Sequence, residues 1–193
     1  MNFNDVKVIL ASKSPRRNEL LKYITDEFEV IPSSCDETVP NGLDVFEVPE
    51  FLSVRKALDV AKSHPDSLVI GCDTVVIING EILGKPKDIA DAFNMLCRLS
   101  GNTHTVVSGV CLCLRGKTMS FSQHTDVKFY PLKEEDIIKY LQSGSPLDKA
   151  GAYGIQDGAA LFVESISGDY YNVVGFPIAK LRLEIEKFLN LFN

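Results

Sequence analysis

The sequence predicts an α/β fold, in which apolar strands alternate with amphipathic helices. Three stretches predict it. Residues 6–10 (Val-Lys-Val-Ile-Leu) form an apolar strand, and a helix start at Ser14-Pro15 follows it closely. A helix over about residues 50–63 leads into residues 69–78, a Val- and Ile-rich run suited to a buried strand. Residues 105–114 and 118–130 form a long antiparallel hairpin around Arg115-Gly116-Lys117. The 193 residues are enough for one well-filled core, or for two lobes sharing one sheet. No repeat, low-complexity segment or separating linker divides them, so residues 1–193 are expected to act as a single domain.

The first turn is the first place where the residue types are unexpected. Ser14 suits an N-cap and Pro15 the first helical position. Arg16 and Arg17 follow, with Lys13 before them. Cations at a helix N-terminus oppose its partial positive charge. They make sense if an anion docks there; the plainer alternative is two solvated arginines. A short strand at 28–31 precedes the polar loop Ser33-Ser34-Cys35-Asp36-Glu37-Thr38. Its acidic pair, Asp36 and Glu37, is expected to be exposed and matters only if the loop faces Asp73. On the helix at 50–63, Leu52, Ala57, Leu58 and Ala61 supply a mostly apolar face. Arg55 and Lys56 read singly as part of a solvated one.

The run Val69-Ile70-Gly71-Cys72-Asp73-Thr74-Val75-Val76-Ile77-Ile78 is broken by one carboxylate. Asp73 there is costly unless paired, hydrogen-bonded or bound to a metal. It either meets one buried partner or belongs to a site. Asn79-Gly80 suits a two-residue turn into a return strand, which places Lys85 across the hairpin. A helix begins at Asp88, with Ala92, Phe93, Met95, Leu96 and Leu99 as its core stripe, and Ser100-Gly101-Asn102 stops it. A short amphipathic helix covers 134–142. The segment from Asp148 to Ala160 is dense in Gly and Ala, either a wall against a base or a tight turn. Residues 161–166 read as a strand, Ser167-Gly168-Asp169 as a turn and 170–174 as its partner strand. Pro177 opens the last helix, with Ile178, Leu181, Ile185, Phe188 and Leu189 on one face.

The formal net charge of −6 argues against a general surface for a nucleic acid polymer, while leaving room for a local basic pocket. No apolar run is long enough to span a membrane, and residues 1–5 lack the pattern of a signal peptide, so a cytoplasmic location is expected. The five cysteines include no CxxC pair, and Cys111 and Cys113 share one strand face as core residues. With three histidines, a His/Cys zinc site has poor support. A hard divalent ion held by carboxylates and a phosphate ligand fits better.

Six blocks, in order and over nearly the whole chain, resemble the Maf family of nucleoside triphosphate pyrophosphatases. They are Leu10-Ala11-Ser12-Lys13-Ser14-Pro15-Arg16-Arg17, Cys72-Asp73-Thr74-Val75-Val76, Gly84-Lys85-Pro86, Leu99-Ser100-Gly101, Asp148-Lys149-Ala150-Gly151-Ala152-Tyr153-Gly154-Ile155-Gln156 and Asn172-Val173-Val174-Gly175-Phe176-Pro177. The resemblance implies a two-lobed α/β fold, like that of the inosine triphosphatases, with a long curved mixed sheet flanked by helices and a central cleft. It implies cleavage of a nucleoside triphosphate between the α and β phosphorus atoms, a divalent metal (Mg²⁺ or Mn²⁺) and often a homodimer. The family role is to remove unwanted or surplus nucleotides, and some members are linked to cell division.

Residue by residue, Asp73 matches the family's catalytic carboxylate, as proton acceptor or metal ligand. Ser12, Arg16, Arg17, Lys56 and Lys85 match polar and basic substrate positions, and Glu37 matches an acid that could join Asp73 on a metal. Arg16, Thr74 and Gln156 resemble the branch acting on dTTP and UTP. The branch acting on 7-methyl-GTP tends to carry an aromatic residue, Gln and Glu there, and it lacks the Asp-Lys before Ala-Gly. Cys72 stands where Ala or Ser is usual, Phe176 where Leu is common, and Asn102 where a basic residue often follows Ser-Gly. The expected activity is therefore dTTP/UTP pyrophosphatase. The rival readings are a 7-methyl-GTP pyrophosphatase and a nucleotide-binding regulator of cell division without turnover.

Overall fold

A computed structural model describes residues 6–142 and 146–192. Strand β1 (Val8–Ala11) is fully buried and leads through the Ser12–Ser14 turn into α1 (Pro15–Leu21). Strand β2 (Glu29–Val30) lies parallel to β1, and α2 (Val48–Ala61) follows the acidic loop. The central strand β3 (Leu68–Ile78) is parallel to β1 in the register Val8↔Leu68 to Ala11↔Gly71. It then turns through Asn79 (φ 52°) and Gly80 (φ 75°) into β4 (Glu81–Leu83). That is the two-residue turn the Asn-Gly pair predicts.

Helix α3 (Ile89–Leu99), capped by the Asp88 side chain, precedes β5 (Thr103–Leu114) and β6 (Lys117–Phe129). Then come α4 (Glu134–Leu141), β7 (Val163–Gly168), α5 (Tyr170–Val174) and α6 (Ile178–Leu189). The seven-stranded sheet runs β2-β1-β3-β5-β6-β7, with β4 paired to β3. It is mixed, because β1 pairs parallel with β2 and β3, whereas β3–β4 and β6–β7 are antiparallel.

The chain divides into two units. The first comprises residues 1–73, 108–123 and 175–193, and the second 74–107 and 124–174. In the first, Ile9, Ala11, Ala57, Val60, Val69, Cys111 and Cys113 form one buried cluster, so the two strand cysteines are core residues as expected. The helix α2 lies against the sheet because two glycines leave room for it. A Cβ on Gly71 would overlap Ser53 O and stand 2.8 Å from Ala57 N, and one on Gly109 would overlap the Pro49–Glu50 backbone. Backbone cannot swing aside as a side-chain tip can. Gly109→Ala is therefore expected to destabilise by about 3 kcal/mol or more, read as a thermal midpoint lowered by roughly 6–12 °C.

In the second unit the core is aromatic. Phe129 meets His104 and Tyr153 edge-on, each at 4.9 Å between ring centroids, and Phe162 at 6.0 Å. His104 bonds the Tyr153 hydroxyl through Nε2 at 2.8 Å, while its buried Nδ1 makes no hydrogen bond. Burial pulls the His104 pKa from 6.5 down to about 4, with Asp126 opposing. The folded protein therefore holds a neutral imidazole, and stability is complete above pH 6.5 and falls as pH drops towards 4. A gap of that size is worth about 3 kcal/mol. Urea unfolding across this window is expected to show a slope that flattens in His104→Gln.

One expectation fails. Residues 161–166 and 170–174 do not pair as a hairpin. Leu161 and Phe162 close a 3₁₀ turn (Gly158–Phe162), and β7 pairs with β6 from Phe129↔Val163 to Thr125↔Gly168. Residues 170–174 are helical although rich in strand formers. The Asp169 carboxylate accepts from Tyr171 N at 2.8 Å, and buried Asn172 donates to Val106 O and Thr125 Oγ1, each at 3.0 Å. Tertiary bonds outweigh the β propensity of Tyr and Val here.

Candidate active site

Asp73 sits on β3 where the strand's full burial is interrupted. Its Oδ1 accepts from the Lys56 ammonium at 2.6 Å. The same ammonium lies 3.3 Å from Glu37 Oε2. One cation thus joins two acids that lie 36 residues apart in sequence. Lys56 and Asp73 expose 13% and 14% of their side chains, while Glu37 is open to solvent at 56%, so the Asp73 side of the bridge is the desolvated one. Burial disfavours the Lys56 ammonium, but Asp73 and then Glu37 outweigh it, and its pKa lies above the usual lysine value. Lys56 is therefore no solvated surface residue.

Helix α2 also positions the acidic loop. Ser33 Oγ and Ser34 N donate to Asp59 Oδ2, both at 2.9 Å. Arg55 donates to Thr38 O at 3.0 Å and lies 3.6 Å from Asp36 Oδ2. The loop is thus held at both ends by the helix that carries Lys56. Sequence reasoning missed Asp59 and Arg55 as positioning residues. Their one signal is helical spacing, with Arg55, Lys56 and Asp59 within four residues along α2.

The β1–α1 turn is built as its sequence predicts. Ser14 Oγ caps α1 by accepting from Arg17 N at 3.4 Å. Ser12 is buried and accepts from Ser14 N and Arg17 Nη1, both at 3.2 Å. Arg17 also donates through Nη1 to Cys72 O at 2.9 Å and through Nε to Gly175 O at 2.9 Å. It braces the turn against the residue before Asp73, so three of its hydrogen bonds are spent inside the protein. Arg16 is half-buried in the first turn of α1.

Thr74, Lys85 and Gln156 belong to the second unit. Thr74 is half-buried, while Lys85 and Gln156 are exposed. Gly151 N donates to Gly84 O at 3.0 Å, which ties the segment before Lys85 to the Gly- and Ala-rich turn. Gly151 has φ +67°, and a Cβ there would press on Val76 at 3.0 Å, so that turn is tight as well as small.

Among the described residues no three His, Cys, Asp or Glu side chains gather as a metal cage. Mg²⁺ needs no such cage, because one or two carboxylates suffice when phosphate and water supply the remaining oxygens. Asp73 and Glu37, both directed at one cation, fit that donor set.

The comparisons with known proteins agree with this architecture. A relative from Bacillus cytotoxicus named dTTP/UTP pyrophosphatase is 48% identical over 182 residues, covering 94% of this chain and 95% of its own. One of the same name from Bacillus mycoides is 46% identical with the same coverage. Among solved structures, the Ham1 protein of Staphylococcus aureus aligns with a TM-score of 0.56 at 18% identity, covering 94% of this chain and 98% of that one. A HAM1 protein from Coxiella burnetii aligns at 0.53 and 15% identity, covering 94% and 99%. These two likenesses concern the fold alone. The model of the family described as Maf-like protein matches residues 7–188, nearly the whole chain, and the chain belongs to that family.

Proposed function

We propose that the chain is a nucleoside triphosphate pyrophosphatase that converts dTTP and UTP to the monophosphate and pyrophosphate. The observation that carries the reading is the convergence of Asp73 and Glu37 on the Lys56 ammonium. A site built only to hold an anionic triphosphate has no use for two carboxylates, which repel it. The choice of substrates rests on the relatives named dTTP/UTP pyrophosphatase, 45–48% identical over most of the chain.

In this reading a water oxygen attacks the α-phosphorus, the bond to the β-phosphate's bridging oxygen breaks, and pyrophosphate leaves with that electron pair. Asp73 orients the water and accepts its proton, or serves as metal ligand instead. Arg16 and Lys85 bind phosphate oxygens and offset charge on the leaving group. Arg17, with Ser12, keeps the β1–α1 turn in place for phosphate binding. Asp73 and Glu37 would hold a divalent cation, Mg²⁺ or Mn²⁺, which when bound neutralises phosphate charge and lowers the pKa of a coordinated water. Gln156 presents a donor and an acceptor, which a uracil or thymine edge can use, and Thr74 is the second specificity position. Residues 1–193 work as one functional domain, in a cytoplasmic homodimer.

The test is pyrophosphate release from dTTP, UTP, CTP, 7-methyl-GTP, ITP and dATP with Mg²⁺ or Mn²⁺. Turnover of dTTP and UTP above the rest is expected. Turnover mainly of 7-methyl-GTP would keep the mechanism and overturn the reading of Arg16, Thr74 and Gln156 as residues of the dTTP/UTP branch. Binding without any turnover would overturn the enzyme.

A further inference from the structure

The turn that carries Gln156 is anchored at each neighbouring residue. Tyr153 is buried against His104 and Phe129, with its hydroxyl on His104 Nε2. Gly154 N donates to the Tyr140 hydroxyl at 3.1 Å. A Cβ on Gly154 would stand 2.6 Å from both Asp157 Oδ2 and Lys149 Cε, so a larger residue there would have to push these two side chains aside. Ile155 is buried. Asp157 N donates to Gly154 O at 3.2 Å and closes the turn. Asp157 Oδ1 accepts from Ala159 N at 3.1 Å, and Oδ2 meets the Tyr140 hydroxyl at 3.4 Å and the Lys149 ammonium at 3.5 Å. Lys149, 9% exposed, also lies 2.7 Å from Asp148 Oδ1. From Tyr153 to Asp157, Gln156 alone is exposed.

A cation buried this far adds little stability that apolar packing would not supply. Its geometry accounts for it better. Lys149 and Tyr140 together hold both ends of a turn whose one outward side chain is an amide. We infer that Lys149, Tyr140 and Asp157 are positioning residues for base selection: they pre-organise the backbone at 154–157 so that Gln156 meets a pyrimidine edge without an ordering cost. The inference rests on the proposed reading of Gln156 as the base-contacting residue. It predicts that the network acts on substrate choice, through Gln156, and little on the chemical step.

Tyr140→Phe tests it, because it keeps the ring packed on Phe162 and removes only the hydroxyl that links Gly154 to Asp157. KM for dTTP and UTP is expected to rise about fivefold, with a smaller change in kcat. In a Gln156→Ala background the same substitution should change KM no further, since both act through one contact. Multiplying effects in the double variant, or a kcat loss shared by all triphosphates, would overturn the inference. Asp157→Asn reads the same cycle if Tyr140→Phe fails to fold. Amide hydrogen exchange at 154–157 in the ligand-free protein supplies a reading independent of turnover. Faster exchange in the variant is expected, and unchanged exchange would overturn the inference. A wild type inactive on dTTP and UTP would instead count against the proposed function, with the exchange data still deciding the positioning role.

Discussion

Asp73→Asn is expected to lower turnover of dTTP and UTP by about 10²–10⁴-fold, the range that a positioned acid–base group supplies. Asn is nearly the same size and can still accept from the Lys56 ammonium, so the site geometry should survive. The loss would then report the charge and the proton-accepting oxygen rather than a collapsed strand. Pyrophosphate release is the measurement, with a thermal melt beside it. Near-normal turnover with a normal melt would remove Asp73 from the chemistry. Metal titration of Asp73→Asn divides the two roles left open for Asp73. A proton acceptor predicts a rate that stays low at every metal concentration. A metal ligand predicts that higher Mn²⁺ partly restores the rate.

Lys56→Met is expected to damage both stability and activity. Lys56 and Asp73 are each under one-sixth exposed, so removing the ammonium leaves a carboxylate desolvated beside a second acid. Breaking such a pair costs about 3 kcal/mol or more, seen as a thermal midpoint lowered by roughly 6–12 °C. The sign with pH follows from the raised Lys56 pKa. The pair contributes in full below the ordinary lysine value of 10.5 and is lost as pH rises through the higher folded value. The wild type and Lys56→Met should therefore differ in stability by a constant amount from pH 7 to 10 and converge only above that. Turnover is expected to fall about 10²-fold, because Glu37 and Asp73 lose the group that holds them in register. A variant that melts like the wild type would show that the bridge is worth little in solution.

Much of this was legible in the residues. The Ser14 cap, the Asn79-Gly80 turn and the apolar stripes of α3 and α6 depend on neighbours within a few positions, so local chemistry specified them. Helix α2 began two residues earlier than its apolar pattern suggested, at Val48, with Pro49 in its first turn. Asp73 stood out because a carboxylate in a Val/Ile strand demands a partner, and the structure supplies Lys56. Arg17 was marked as unusual for its position, but its carbonyl partners, Cys72 and Gly175, lie 55 and 158 residues away in sequence.

By itself, then, the sequence determined the α/β class, the strand and helix order up to residue 160, the anomalous carboxylate and the motifs that carry the family. Those properties follow from periodicity, capping and residue identity, which a linear reading preserves. The tertiary structure alone decided that 170–174 is a helix, that Arg55 and Asp59 hold the acidic loop, and that Lys56 joins Asp73 to Glu37. It alone decided that Lys149, Tyr140 and Asp157 clamp the turn beneath Gln156. Each of these rests on polar groups that lie apart in sequence; Asn172, Lys56, Asp73 and Lys149 are largely buried where they pair, whereas Arg55 and Asp59 hold the loop through exposed bonds. A buried donor or acceptor takes the partner that the packed chain brings within reach, which propensity along the chain does not encode.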